Sequence, residues 1–297
     1  MNKMYKILMY RYLIFPFVTV IRHFSKSGSN VDQPHFFIFG SGRNGSTLLA
    51  TILNAHKNIY IPPEEFVLPY AIIRRYFFFF WSSNKWMTDV LRLFHNPSKT
   101  IKWSTDFNSN QLNKKDIPLL FSSIFTNQMK KNKPEAIIWG DKSPLNTNFV
   151  KYIYPEFKQA KYIFLIRDPR DVALSYRKYL GNKAFTFGIW KWKDSVRTYK
   201  YLCKRTNVLL IKYEELVSNP QEQSRRISEF LCVPHIVDLA NDKVSAEKMG
   251  VEADSHHKNL RKPISTRSVG KWKSELSGSD LKQFNKVQSF MKYFDYK

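Results

Sequence analysis

Apolar positions along this chain fall into two patterns: short unbroken runs bounded by glycine, proline or charge, and longer stretches where apolar residues return every three or four places. The first pattern predicts buried strands and the second amphipathic helices. Strands are expected at residues 35–39, 59–61, 136–139, 161–166 and 207–211, and helices at 46–55, 64–80, 117–131, 169–180, 187–204 and 221–231. Strands alternating with helices call for a parallel sheet covered by helices, with ligands beyond the carboxyl ends of the strands.

Two of those strand ends carry anion-binding chemistry. The run Phe36-Phe37-Ile38-Phe39 enters Gly40-Ser41-Gly42-Arg43-Asn44-Gly45-Ser46-Thr47, where a helix begins. Backbone N–H groups at such a start face an anion, most simply a phosphate. The triphosphate-binding loop G-x-x-x-x-G-K-[ST] has a lysine for the β- and γ-phosphates. Gly40 and Gly45 keep its spacing, but Ser46 stands in the lysine's place and the cation comes earlier, at Arg43. This suits a shorter 5′-phosphate bearing one further anionic group. A second anion site is expected where 161–166 runs into Arg167-Asp168-Pro169-Arg170, with Pro169 in a first helical turn and Ser175 further along that helix.

The two segments resemble the 5′-phosphosulfate loop and the 3′-phosphate motif of sulfotransferases that use 3′-phosphoadenosine 5′-phosphosulfate (PAPS). The arginine and serine of the 3′-phosphate motif fall on Arg167 and Ser175, eight residues apart as in that family. Gly140-Asp141-Lys142-Ser143-Pro144 is similar to the family's DKxP or EKTP segment, and residues 211–217 through Phe230-Leu231 to its YEDLV…P…FL stretch. Arg267-Ser268-Val269-Gly270-Lys271-Trp272 is a looser match to its C-terminal glycine loop, which closes over the cofactor. The resemblance covers about residues 35 to 275 and specifies the cofactor more than the acceptor.

The resemblance implies an α/β, P-loop NTPase-like three-layer fold with a central parallel sheet flanked by helices. One sulfotransferase domain is expected over residues 31–297, after a basic N-terminal arm and linker at 1–30. PAPS is the implied cofactor, without a metal. Its expected contacts are Gly42, Arg43, Asn44, Gly45, Ser46, Thr47, Arg167, Ser175, Arg267, Gly270 and Lys271.

Sulfuryl transfer to a hydroxyl or amine needs an in-line acceptor atom, a base for its proton and cations for the charge that develops. Arg43 and Lys142 are the candidate cations. Glu64 is the candidate base, because tyrosylprotein and related sulfotransferases place a glutamate at that distance after the loop arginine; Glu65 is one place off. A carboxylate pair at a helix start also complements the helix dipole, so a structural role stays open. His56, His95 and Asp141 are the other candidate bases, although His56 also reads as a helix C-terminal cap. Two other functions remain open: a nucleotide-dependent phosphotransferase in which Asp168 holds a metal, and a non-catalytic, basic polyanion-binding module on the same fold. The run Phe77-Phe78-Phe79-Phe80-Trp81, with Trp86, reads as core or as an acceptor pocket or lid. Glu214 reads as a structural helix-start carboxylate, and His256-His257 lacks the partners of a metal site.

Composition bounds the rest. A chain of 297 residues with 43% hydrophobic content can bury a substantial core. Cys203 and Cys232 are too few for a disulfide framework and are expected as buried small hydrophobes. A net charge of +24 exceeds what one polyanionic cofactor needs and suits an acidic acceptor or peripheral contact with an anionic membrane; no specific nucleic acid is expected. At the N-terminus only residues 12–21 are uncharged, too few to span a bilayer, so a peripheral or disordered arm and a cytoplasmic or peripherally held protein are expected. The acceptor itself, whether glycan, lipid, peptide or small metabolite, stays open.

Overall fold

The computed structural model describes residues 9–25, 35–94, 103, 115–235 and 264–297. A π-helical turn, Tyr10–Ile14, leads into α1 (Phe15–Phe24), followed by β1 (His35–Gly40), α2 (Ser46–Ala55), β2 (Ile59–Tyr60), α3 (Leu68–Phe77), α4 (Ser83–Phe94), α5 (Ile117–Asn132) and β3 (Ile138–Lys142). Then come α6 (Val150–Ile153), β4 (Lys161–Ile166), α7 (Pro169–Leu180), α8 (Ala184–Cys203), β5 (Val208–Lys212), α9 (Tyr213–Ser218) and α10 (Pro220–Leu231). The C-terminal part adds α11 (Trp272–Glu275), α12 (Gly278–Lys282) and α13 (Gln288–Lys292). The strands form one sheet in the order β2-β3-β1-β4-β5, and the pairs β2–β3, β1–β4 and β4–β5 are parallel, as the alternating pattern requires. The chain divides into two compact units, residues 1–35 with 57–160 and residues 36–56 with 161–297.

In the second unit, β4 is buried from Tyr162 to Ile166, the mark of a parallel strand covered on both faces. Its register sets Gly40 of β1 against Leu165, and Ile166 against Lys212 of β5. The residues that follow these three ends, Ser41, Arg167 and Tyr213, therefore leave the sheet at one edge. Helix α7 starts where the sequence marks it: Asp168 caps it by accepting from the Arg170 N–H at 2.8 Å, and Pro169 fills a position that needs no donor. Cys203 and Cys232 are both exposed, not buried as expected, because each lies at a helix end, Cys232 as the left-handed C-cap of α10.

In the first unit, Ile59 and Tyr60 pair with Ile138 and Trp139. Strand β3 lies two residues later than expected and includes Asp141 and Lys142 themselves; Ile137, at the residue before it, is exposed. Helix α3 starts at Leu68 and not at Glu64, and Pro69 explains the difference, since proline cannot donate inside a helix and is accommodated in its first turn. Stacked and tilted rings join His35, Trp139, Phe125, Trp103 and Phe94 at centroid spacings of 4.6 to 5.2 Å. The expected arm contains a docked helix: α1 packs against α3, buries Val18 and sends Arg22 to Glu156 and to the Tyr152 carbonyl at 2.9 Å each. The aromatic run is core only in part. Trp86 is buried with its indole N–H on the Ala71 carbonyl, whereas Phe77, Phe79 and Phe80 are exposed.

Candidate active site

The loop between β1 and α2 is shaped by backbone conformations that few side chains adopt. Gly42, Arg43 and Gly45 have φ of 73°, 54° and 92°. A Cβ on Gly45 would lie 2.4 Å from the Tyr213 ring, so the position needs glycine both for its backbone and for the close approach. Asn44, fully buried, ties the loop to β4 through a 2.6 Å bond from its amide to the Leu165 carbonyl. With Gly45 as N-cap, no side chain caps α2, whose first turn is Ser46-Thr47-Leu48. The loop thus presents a helix N-terminus bordered by Arg43.

Arg43 Nε donates to Ser175 Oγ at 3.2 Å, and its guanidinium lies 4.8 Å from the Tyr179 ring centroid. The loop cation and the serine expected to hold a 3′-phosphate are therefore in contact. Arg167 is also here. It donates to the Arg43 carbonyl at 3.1 Å and to the Ser268 carbonyl, and lies over the Tyr213 ring at 4.5 Å. Its carbonyl is held by the Trp192 indole at 2.8 Å. Its Nε is buried and has no hydrogen-bond partner, an unsatisfied charged donor of the kind an anionic ligand would complete.

The segment after residue 263 reaches the same place. Gly270, at φ 70°, and Trp272 donate their backbone N–H groups to the two oxygens of Asp171 at 2.8 and 3.0 Å, and Ser268 accepts from Arg167. Trp272 also stacks under Arg170, 3.6 Å from its ring centroid. Arg267 and Lys271 are exposed on this segment. Gly270 is legible in the sequence, whereas Asp171, which holds the segment, is not: its partners lie 99 and 101 residues away, and no local signal joins them. Tyr213 was also missed, although it follows β5 directly, and the pairing of β4 with β5 would have placed it beside Arg167.

In the first unit, Lys142 is 3% exposed and donates to a Glu64 carboxylate that is 49% exposed. Glu65 differs: it is buried, accepts from the Trp103 indole at 3.0 Å, and its carbonyl accepts from Ser143 at 2.8 Å. Neither is in a first helical turn, so complementing the dipole of α3 explains neither. Beside them Asp141 is buried and accepts from Asn146 at 2.6 Å and from Ser143 at 3.0 Å. Burial pushes its carboxyl up to about 7 against those two hydrogen bonds, and the neighbouring Glu64 adds to the rise.

The other candidates have structural roles. His56 is the C-cap of α2, buried, with Nε2 2.6 Å from the Pro234 carbonyl. Asp168, which a metal-dependent phosphotransferase would use, is occupied as the α7 cap and in a fork with Arg170 at 2.6 to 3.2 Å. Glu214 accepts from the Asp168 N–H and the Tyr296 hydroxyl, each at 2.9 Å, and burial pushes its carboxyl up. His95, His256 and His257 lie outside the described residues.

Comparison with known proteins agrees with this geometry. The model of the "Sulfotransferase family" matches residues 34–237. The chain is similar to "Protein-tyrosine sulfotransferase" of Drosophila melanogaster, 22% identical over 90% of this chain and 52% of that protein. It is also similar to "Protein-tyrosine sulfotransferase A" of Caenorhabditis elegans, 24% identical over 92% of this chain and 70% of that one. It thus spans about half the length of the fly relative. Among solved structures, the sulfotransferase domain of the Synechococcus PCC 7002 olefin synthase aligns with a TM-score of 0.57 at 20% identity, over 89% of this chain and 98% of that one. The sulfotransferase domain from the curacin biosynthetic pathway gives the same score and identity over 88% and 99%. With a family match across most of its length and the fold of those domains, this chain belongs to the sulfotransferase family.

Proposed function

We propose that the protein transfers the sulfuryl group of PAPS to a hydroxyl or amine acceptor. The observation that carries this reading is the meeting of Arg43, Ser175 and Arg167 beside the N-terminus of α2, with Arg167 Nε buried and unpartnered. PAPS supplies an already activated sulfuryl group on a phosphate leaving group. The first-turn N–H groups of α2 and the guanidinium of Arg43 bind a 5′-phosphate, while Arg167 and Ser175 bind a 3′-phosphate. Asp171 keeps Gly270 and Trp272 in place, so Arg267 and Lys271 come to the same nucleotide from the C-terminal segment.

Glu64 takes the acceptor proton in this reading. Its half-exposed carboxylate can meet an acceptor, and Lys142 keeps it oriented. Lys142 adds positive charge where charge develops on the transferred group. Glu65, committed to Trp103, has no such freedom. The domain reading is one sulfotransferase domain over residues 31–297. An acidic peptide bearing tyrosine is the first acceptor to test, because a chain of net charge +24 attracts it and two matched relatives carry the name protein-tyrosine sulfotransferase. Incubating the protein with sulfur-labelled PAPS and a panel of tyrosine peptides, glycans, lipids and phenols tests the reading. Label must pass to at least one acceptor class and must pass at least about a hundredfold more slowly with Glu64→Gln.

A further inference from the structure

Helix α1 is apolar on two sides. Its inner side buries Val18 and is fastened by Arg22 to the buried Glu156, which also accepts from the Tyr76 hydroxyl at 2.6 Å. Its outer side carries Phe17, Val20 and Phe24, and Leu13 just before it extends the row; the spacing of four, three and four residues makes one stripe. All four are exposed, Phe24 by 82%. Phe17 meets Phe77 edge-on at 5.3 Å, and Phe77 opens the corner after α3, where Phe79 and Phe80 are 58% and 70% exposed. Lys115 pins that corner by donating to the Phe79 carbonyl at 2.8 Å. An exposed apolar surface joined across two elements marks a contact site.

The charge around the surface selects its partner. Residues 1–31 contain Lys3, Lys6, Arg11, Arg22 and Lys26 and no Asp or Glu, so with Arg22 paired to Glu156 four cations of that stretch have no acidic neighbour in sequence; near the corner Arg74 and Arg75 are paired with Asp89 and Glu156, and Lys85 adds one more cation. A second copy is a poor occupant, because each chain carries +24. No described helix is long and apolar enough to cross a membrane, and α1 has 10 residues with its inner side committed. Exposed phenylalanines on a helix whose flanking sequence is basic fit the boundary of a bilayer with anionic headgroups, where apolar insertion and basic attraction act together. We propose that the outer stripe of α1 and the corner at residues 77–80 dock this protein on an anionic lipid surface.

Sedimentation of the full chain with vesicles tests this, using phosphatidylcholine alone and phosphatidylcholine with about 30% phosphatidylserine. The parent should bind the anionic vesicles at least tenfold more tightly than the neutral ones. Phe24→Ser with Phe80→Ser should lose at least tenfold of that affinity at an unchanged melting temperature. Leu13→Ser with Phe79→Ser is the second pair, should the first fail to fold. No binding of the parent to anionic vesicles would overturn the proposal. So would variants that bind like the parent, or a parent dimer that the variants dissociate, which would make the stripe a contact between copies.

Discussion

Lys142, almost wholly buried at the end of β3, is ion-paired with Glu64, 78 residues earlier, whose carboxylate remains half open to solvent. The parallel pairing of β2 with β3 produces this contact, because the chain leaving Tyr60 runs beside the strand that ends in Lys142. The adjacent carboxylate of Glu65 is buried against Trp103. Two neighbouring glutamates thus have opposite surroundings and should respond differently to the same substitution.

Glu64→Gln should reduce turnover by roughly 10²–10⁴-fold, the usual contribution of a general base, and leave nucleotide affinity nearly unchanged. Glu65→Gln should instead lower the melting temperature through its weakened bond to Trp103, with turnover per folded molecule nearly kept. Steady-state kinetics and thermal melts on both variants check this. Equal kinetic losses would remove Glu64 from the role of base.

Arg167→Ala should weaken binding of 3′-phosphoadenosine 5′-phosphate by about tenfold to a hundredfold, the value of one charge-assisted contact. Arg167 also ties the loop at Arg43 to Ser268, so Arg167→Lys is the necessary companion. Lysine keeps the charge and loses the planar fork, and it should recover only part of the affinity. Calorimetric titration with nucleotides that have and lack the 3′-phosphate decides the matter: the discrimination between them must shrink in both variants.

Asp171→Asn leaves one acceptor oxygen for two backbone donors, Gly270 and Trp272. Amide exchange should rise in residues 268–272 and stay unchanged in β4, and affinity for the nucleotide should fall with it. Unchanged exchange there would mean that Trp272 on Arg170 suffices to hold the segment.

Asp141 sets a pH dependence. Its carboxyl, ordinarily near 3.8, is raised to about 7 by burial in the folded protein. The folded state therefore holds a proton that the unfolded chain has lost between those values. The resulting stabilisation is full below about pH 4 and is lost as pH rises through about 7, with a size on the order of a few kcal/mol. Relative to Asp141→Asn, the parent should lose melting temperature from pH 5 to pH 8. Parallel profiles for the two proteins would contradict the assignment.

How far the sequence reaches is clear from particular residues. Helices α2 and α7 and strand β4 lie where apolar spacing and Pro169 put them. Arg43, Ser175 and Arg167 could be named because loop and strand-end chemistry is local. Contacts made across the sequence were hidden: the Asp171 clamp on Gly270, Tyr213 under Arg167 and Trp103 on Glu65 each join distant segments. Local rules also failed where burial overrode them. Asp141 and Lys142 read as a polar exit from a strand, yet they belong to β3 because Asn146, Ser143 and Glu64 satisfy them. Helix α1 was missed because charges and Pro16 obscured a short apolar helix whose inner face is fixed by one buried ion pair.

The function rests most directly on which nucleotide the folded protein binds, and thermal unfolding measures it. A ligand that binds only the folded state adds RT ln(1 + [L]/Kd), about 2.7 kcal/mol at a hundredfold excess over Kd. 3′-Phosphoadenosine 5′-phosphate should raise the melting temperature by several degrees, ATP at equal concentration should do much less, and Arg167→Ala should shrink the difference. An equal shift with ATP, or no shift with either nucleotide, would contradict a site built for PAPS.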